Sequence, residues 1–490
     1  MIRSSIFLKE KYDAKGLFQK LKARLVAGGD RQDRTIYAES EISSPTVSTS
    51  AVFMVATIAA KERRKVVTLD YSGAYLNAKL KRPVKMLLEP KMAEVLCEME
   101  PSYRKFLRVD GYLCVGLDKA LYGCIESAKL WYDTISSQLR SLGFKPNDYD
   151  PCIFNKHVNG TQVTIALYVD DLMITCANDR ALNGVILQLE SMFEGSTVHR
   201  GAVHSYIGML FDFSDSGRVH VKMDGYIDDF LAEYEVKGSA PTPSKSDLFM
   251  VDGDAELLDT ATKDIFHSRV AKVLYCAKRS RPDLLTTTSF LATRVQDPTV
   301  QDYGKLQRLL KYVNGSRDLW LTLEADEVWG LFAYIDASYG MHPDGKSHTG
   351  VCMLLGKGAF YVQSSKQKIV SKSSTESEII AVSDGLSEVI WARNFLLDQG
   401  VPLGPAVVFQ DNKSTMALIA KGRSTSSRTK HIHIRYFFVK DRVEAGEVVI
   451  RYAPTEEMLA DILTKPLQGE LFRKLRNSLL NNRIRQAGEE

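Results

Sequence analysis

The residues best placed to do chemistry are acids set where an ordinary core would not tolerate them. V-V-T-L-D-Y at 66–71 and I-A-L-Y-V-D-D-L-M-I-T at 165–175 carry Asp70, Asp170 and Asp171 inside apolar, β-branched runs that read as buried strands. An ionised carboxylate withdrawn from water is tolerated mainly when it is paired with a cation or bound to a metal. A hairpin turning at Val169 to Asp171 would present two adjacent carboxylates at one tip, and Asp70 could complete the cluster. Three carboxylates converging on hard cations such as Mg²⁺ suit phosphoryl transfer, in which two ions stabilise the attacking and leaving oxygens. An ordinary solvated turn and a strand-terminal aspartate would also explain each segment taken alone.

A second set lies further along. Asp336 follows F-A-Y-I and Asp411 follows V-V-F-Q, each an apolar strand ending on an acid. S-S-T-E-S-E opens a long helix at which Ser373 with Glu376, or Thr375 with Glu378, could form a capping box. Asp461 lies in M-L-A-D-I-L, on a late helix, where a solvated face would account for it too. Acids on strand, helix, strand and helix can converge although they span 336 to 461, as a two-metal nuclease requires.

These acids need elements to hold them, and the chain has the material. Its 490 residues are 44% apolar and 25% charged, which excludes a disordered tail or a fibrous repeat and suggests two to four folded units. The longest apolar run, Val52 to Ala60, is half of what a bilayer crossing needs, so no membrane partner is expected. The start lacks signal-peptide character, and seven scattered cysteines without paired or metal-like spacing fit a reducing compartment. Net charge is +4, too small to declare a polyanionic partner. Basic residues cluster locally, however: nine against five acidic in 1–40, four against none in Lys421 to Lys430, and K-R-S-R at 278–281. Gly238 to Ser246, with two prolines among small polar residues, reads as an exposed linker and a boundary. Helices are expected over Lys263 to Ala277, Thr299 to Val313 and Thr375 to Asp398. Strand-like runs from Leu331 onward mark a separate α/β domain.

The motifs resemble those of copia-type LTR retrotransposon Pol polyproteins. Y-V-D-D at 168–171 and L-D-Y-S-G-A-Y-L-N at 69–77 look like the metal-binding palm motifs of reverse transcriptases. K-A-R-L-V-A-G-G at 22–29, S-P-T-V-S-T at 44–49, L-Y-G-C-I-E-S-A-K-L-W-Y at 121–132, Y-I-G-M at 206–209 and R-P-D at 281–283 follow in the family's order. D-A-S-Y-G, S-K-Q-K-I-V-S-K-S-S-T-E-S-E-I-I-A, Q-D-N-K-S, K-H-I-H-I-R-Y and L-A-D-I-L-T-K-P-L resemble the RNase H domain of the same elements.

The resemblance implies a multidomain α+β and α/β protein. A right-hand reverse transcriptase would have fingers and palm over 1–235 and a linker with helical thumb or connection over 236–325. An RNase H-like domain would follow over 326–469, then a tail over 470–490 that reads as a basic helix that frays. It implies that Asp70, Asp170 and Asp171 hold two Mg²⁺ ions (Mn²⁺ being the alternative), and that Asp336, Glu378, Asp411 and Asp461 hold two more. Glu378 is chosen over Glu376 because the I-I-A after it matches the family's helix. Tyr75 would lie under the incoming sugar and exclude a 2′-hydroxyl, Lys22 and Arg24 would reach the triphosphate, and Tyr168 would line the substrate site. Glu126 stands where many relatives carry Gln, beside the expected template and nucleotide, where its charge would repel both unless it turns away or finds a partner such as Lys129. The histidine found near the last aspartate of many cellular RNases H has no clear counterpart, and His431 and His433 lie too far upstream to supply it.

Expected partners are an RNA template, a DNA primer, RNA/DNA hybrid and deoxynucleoside triphosphates, in a homodimer or a particle-associated form. A cytoplasmic virus-like particle with nuclear delivery of DNA is the implied setting. The sequence opens inside the fingers segment, which suggests a fragment of a longer polyprotein or a partial gene copy. The competing expectations are an inactive remnant that only binds hybrid, and an RNase H acting alone.

Overall fold

The computed structural model describes residues 1–12, 18–421 and 433–482. The basic stretch after Lys421, His431, the His433 side chain and residues 483–490 lie outside the described part. The chain divides into two compact units. The first comprises 1–47, 67–146 and 151–199; the second comprises 48–66, 147–150 and 200–490.

In the first unit a six-stranded sheet runs in the order Ser196–Arg200, Lys65–Tyr71, Asp171–Cys176, Thr161–Tyr168, Ile153–Val158, Lys145–Pro146. Tyr168 lies opposite Asp171 in the antiparallel register, so the turn is Val169 and Asp170 alone. Val169 takes a φ of 54°, a region that a β-branched residue rarely enters, and the Trp131 indole N–H donates to its carbonyl at 2.6 Å. That conformation costs on the order of 1–3 kcal/mol and persists only because its surroundings hold it.

A second sheet of this unit orders Phe18–Ala27, Ile2–Tyr12, Lys79–Leu88 and Leu113–Lys119. Gly123, at φ 94°, has no room for a side chain: a Cβ would stand 2.0 Å from the Ala27 carbonyl oxygen. The Ala27 N–H donates to the Tyr122 carbonyl at 2.7 Å. This backbone-on-backbone contact joins two of the quoted motifs and brings the Arg24 guanidinium to 5.7 Å from the Tyr122 ring centre.

The second unit contains the α/β sheet expected from residue 331. Its order is Ala359–Lys366, His348–Leu354, Phe332–Ser338, Ala406–Gln410, Val448–Tyr452, with the first three antiparallel and the last two running parallel to Phe332–Ser338. The helix Ser374–Asp398 packs on it and buries Val382, Leu386, Val389 and Phe395, while Ile379 packs against Tyr436 and Leu418. Ser373 caps that helix, its hydroxyl accepting from the Glu376 N–H at 3.2 Å. Of the two capping alternatives, the structure takes the one that leaves Glu378 unused. Gly350 faces Asp336 in the register, and its missing side chain lets the short 3-10 helix Leu459–Leu463 settle onto the sheet.

The helices Thr260–Ala277 and Val300–Asn314 lie within three residues of their expected bounds. Three expectations are corrected. Asp461 rides a 3-10 turn rather than an α-helix, because the apolar residues around it bury on all sides. Thr242 to Ser244 of the expected exposed linker are buried: Arg308 donates to the Thr242 hydroxyl at 3.0 Å and the Gln468 amide donates to the Ser244 carbonyl at 2.9 Å. Arg281 belongs to no basic surface, since it is fully buried against Asp283 and Ser316. The tail, expected as a basic helix, forms one over Gly469–Leu480, anchored by Phe472, Leu475, Leu479 and Leu480. All seven cysteines are free thiols. Among the described residues no helix is long and apolar enough to cross a membrane.

Candidate active sites

In the first unit the two strands that carry the acids are neighbours, and the Tyr71 N–H donates to the Asp170 carbonyl at 3.0 Å. Asp70, Asp170 and Asp171 are thereby brought together. Burial, then the Asp170 and Asp70 charges and a hydrogen bond with Asp70, push the Asp171 carboxyl up to about 7. Burial and Asp70 also raise Asp170, while Arg24 and Lys22 act on it in the opposite sense. Both basic residues singled out from the sequence therefore face the aspartate cluster. Tyr75 is half-buried, with its ring centre 4.5 Å from that of Tyr122. Tyr122, which the sequence reading passed over, has its hydroxyl pushed up to about 12 by burial and by Asp170. Tyr168 is partly exposed at the hairpin base.

Glu126 is buried at the start of the helix Ser127–Ser141. Gln32 Nε2 and the Tyr37 hydroxyl each donate to one of its oxygens at 2.9 Å. Lys129 does not pair with it, reaching Asp133 at 2.5 Å instead, four residues on along the same helix.

The second unit gathers the other set. Among the described residues, the group of three acids that brings one oxygen each within 4.8 Å of the others is Asp336, Asp411 and Asp461. The first unit's three aspartates do not close to that spacing. Glu378 stands beside them on its helix, and burial with the Asp336 and Asp411 charges pushes its carboxyl up to about 9. Asp461 rises to about 7, through burial and then Asp336, against the pull of Lys465. Asp336 is raised as well, by burial above all, though Lys465 and Thr464 oppose it. An open cleft of about 460 Å³ is lined by Asp336, Glu378, Asp411 and Lys465 together with Ser338, Tyr339 and Asn412.

Two supports escaped the sequence reading. Gln410 is fully buried; its amide nitrogen donates to Glu378 at 3.3 Å, while its oxygen accepts the N–H groups of Asp411 at 3.0 Å and Asn412 at 3.2 Å. An amide ending an apolar strand beside an acid was the available signal. Lys465 Nζ lies 2.6 Å from Asp461 Oδ1 and 3.5 Å from Asp336 Oδ2, and the Thr464 hydroxyl donates to Asp336. Their signal was the T-K pair quoted after Asp461. The crowded oxygen donors of Asp336, Asp411 and Asp461, without nitrogen or sulfur ligands, fit a hard divalent cation such as Mg²⁺ or Mn²⁺.

Residues 2–244 match the family described as reverse transcriptase (RNA-dependent DNA polymerase). The Retrovirus-related Pol polyprotein from transposon RE1 of Arabidopsis thaliana is 29% identical over 98% of this chain and 31% of its own length. The chain belongs to the copia-type retrotransposon Pol family. Similar polyproteins from transposon RE2 of Arabidopsis thaliana (29% identical, 95% of this chain, 31% of that protein) and from transposon TNT 1-94 of Nicotiana tabacum (27%, 95% and 34%) agree. The chain spans about a third of the length of these curated relatives.

Proposed function

We propose that this Pol chain is an RNA-directed DNA polymerase joined to an RNase H, copying RNA into DNA and cutting the RNA of the resulting hybrid. The observation that carries the reading is the convergence of Asp336, Asp411 and Asp461 to within 4.8 Å, with Glu378 beside them, in a unit separate from the aspartate cluster at 70, 170 and 171. Fingers and palm are assigned to 1–235, a helical thumb or connection to 236–325, and the RNase H part to 326–469.

In the polymerase site Asp70, Asp170 and Asp171 would hold the ions. Burial and the neighbouring Asp170 and Asp70 charges push the Asp171 carboxyl up to about 7, and positive charge brought by the ions would favour its ionised form. Arg24 and Lys22, whose charges act on Asp170, would meet the negative charge of a triphosphate, and Tyr75, tilted at 52° to Tyr122, would offer a ring beneath the sugar. In the nuclease site Asp336, Glu378, Asp411 and Asp461 would hold the ions, with Gln410 fixing Glu378 relative to Asp411. When bound, paired Mg²⁺ ions supply charge neutralisation for the attacking and leaving oxygens of an in-line displacement. Glu126, engaged on both oxygens, presents no loose charge to template or nucleotide, which supports the polymerase half.

One gel tests this: a labelled DNA primer on differently labelled RNA, with Mg²⁺ and deoxynucleotides. Extension with template cleavage is expected. Asp170→Asn should abolish extension and spare cleavage, and Asp411→Asn should do the reverse; an activity that survives its own substitution defeats the assignment.

A further inference from the structure

Building on the nuclease reading above, we infer that Lys465 is a resident cation of that site. It occupies the edge between Asp336 and Asp461, so the two metal ions load unequally.

The ammonium sits 2.6 Å from Asp461 Oδ1 and 3.5 Å from Asp336 Oδ2. A divalent ion bound to those oxygens would stand about 2.0–2.1 Å from them, so two positive charges would compete for the same lone pairs. The opposite edge differs. Among the described residues no salt bridge reaches Glu378 or Asp411, whose carboxylates accept from the neutral Gln410 amide at 3.3 Å and the Thr455 hydroxyl at 3.2 Å, so a first ion entering beside them would displace no cation from either acid.

The local chain keeps this arrangement in place. The Lys465 N–H donates to the Asp461 carbonyl at 2.9 Å, Thr464 donates to Asp336, and Pro466 follows with its restricted backbone. The backbone is pinned, so the lysine yields by rotating its four-carbon stem. Its side chain is 34% exposed, which leaves a path outward to solvent or to a substrate phosphate. The second ion therefore binds only as the ammonium withdraws, and the Asp336–Asp461 edge is the weaker of the two.

The test counts ions rather than turnover. The full chain carrying Asp170→Asn and Asp171→Asn, so that bound ions belong to the nuclease site, is titrated with Mn²⁺ by calorimetry and by electron paramagnetic resonance. Two ions are expected, differing in affinity by about tenfold or more. Lys465→Met should tighten the weaker ion by about tenfold and move the tighter one by less than about threefold. Lys465→Gln is the second neutral variant should the methionine disturb folding, and Lys465→Arg should keep the inequality. If both ions bind the neutral variants as they bind the parent while hybrid is still cut, the lysine proposal falls alone. If neither parent nor variant binds millimolar Mn²⁺, the nuclease reading falls with it.

Discussion

Gly350→Ala would test how closely the nuclease site depends on one missing methyl group. Gly350 lies opposite Asp336 on the neighbouring strand, beneath the turn that carries Asp461. A Cβ at this position meets Thr464 Cγ2 at 2.7 Å, the Ala460 carbonyl oxygen at 2.9 Å and Leu463 Cβ at 2.9 Å. Moving the nearest of these from 2.7 Å to the 3.4 Å of ordinary contact requires a retreat of about 0.7 Å. The retreating segment includes Asp461 and the Thr464–Lys465 pair that grips Asp336. Misplacing reacting geometry by about 1 Å can cost about 100-fold, so hybrid cleavage should fall by about 10–100-fold. Overpacking costs about 1–3 kcal/mol, offset by about 0.4–1 kcal/mol from the less flexible unfolded chain. Single-turnover cleavage of labelled hybrid, with primer extension measured in parallel, separates the two sites. Gly304→Ala, in a helix with open space around its Cβ, is the control and should leave cleavage unchanged. Cleavage within about threefold of the parent, with an unchanged melting temperature, would refute the close-packing argument.

The acids were legible in the sequence because charge inside an apolar, β-branched run is a local contradiction that only a cation resolves. Asp70, Asp170, Asp336 and Asp411 all declare themselves in this way, and the hairpin at Val169–Asp170 follows from two apolar halves meeting at a polar pair. What was illegible depends on partners remote in the chain. Thr242 to Ser244 look like linker until Arg308 and Gln468 supply their hydrogen bonds. Arg281 looks like surface until Asp283 and Ser316 enclose it. Glu126 looked like a charge beside substrate because no local pattern reveals that Gln32 and Tyr37, about ninety residues away, donate to it. Gly350 gives no local signal, since its role lies in the space it leaves for a turn more than a hundred residues later.

Three further perturbations bear on these contacts. Glu126→Gln should cost less than about 1 kcal/mol, because the Tyr37 hydroxyl can turn from donor to acceptor, and should leave extension within about threefold; a tenfold gain in primer extension would mean that the carboxylate does repel substrate. Arg281→Met strands Asp283 as an uncompensated buried charge and should destabilise the fold by about 3–5 kcal/mol in urea unfolding, so an unchanged midpoint would contradict the buried pair. The third is acid sensitivity at His342 and His348, whose rings are buried and hydrogen-bonded to each other at 2.9 Å. Burial lowers His342 to about 4, with Lys366 adding to it, and His348 to about 3. Free histidine titrates near 6.5, so between that value and the folded values the unfolded chain binds more protons. Stability from this pair is therefore complete above about pH 6.5 and declines as the pH falls, by about 2 kcal/mol per ring at pH 5 and less than twice that for the coupled pair. The raised carboxyls of Glu378 and Asp461 act in the opposite sense, gaining protons in the folded state first. The effect must accordingly be read as a difference between the parent and a His342→Leu/His348→Leu variant, in which the carboxyl contributions cancel. Urea midpoints at pH 7.5 and 5.0 should fall further in the parent, and equal falls would show that the buried rings are not held neutral.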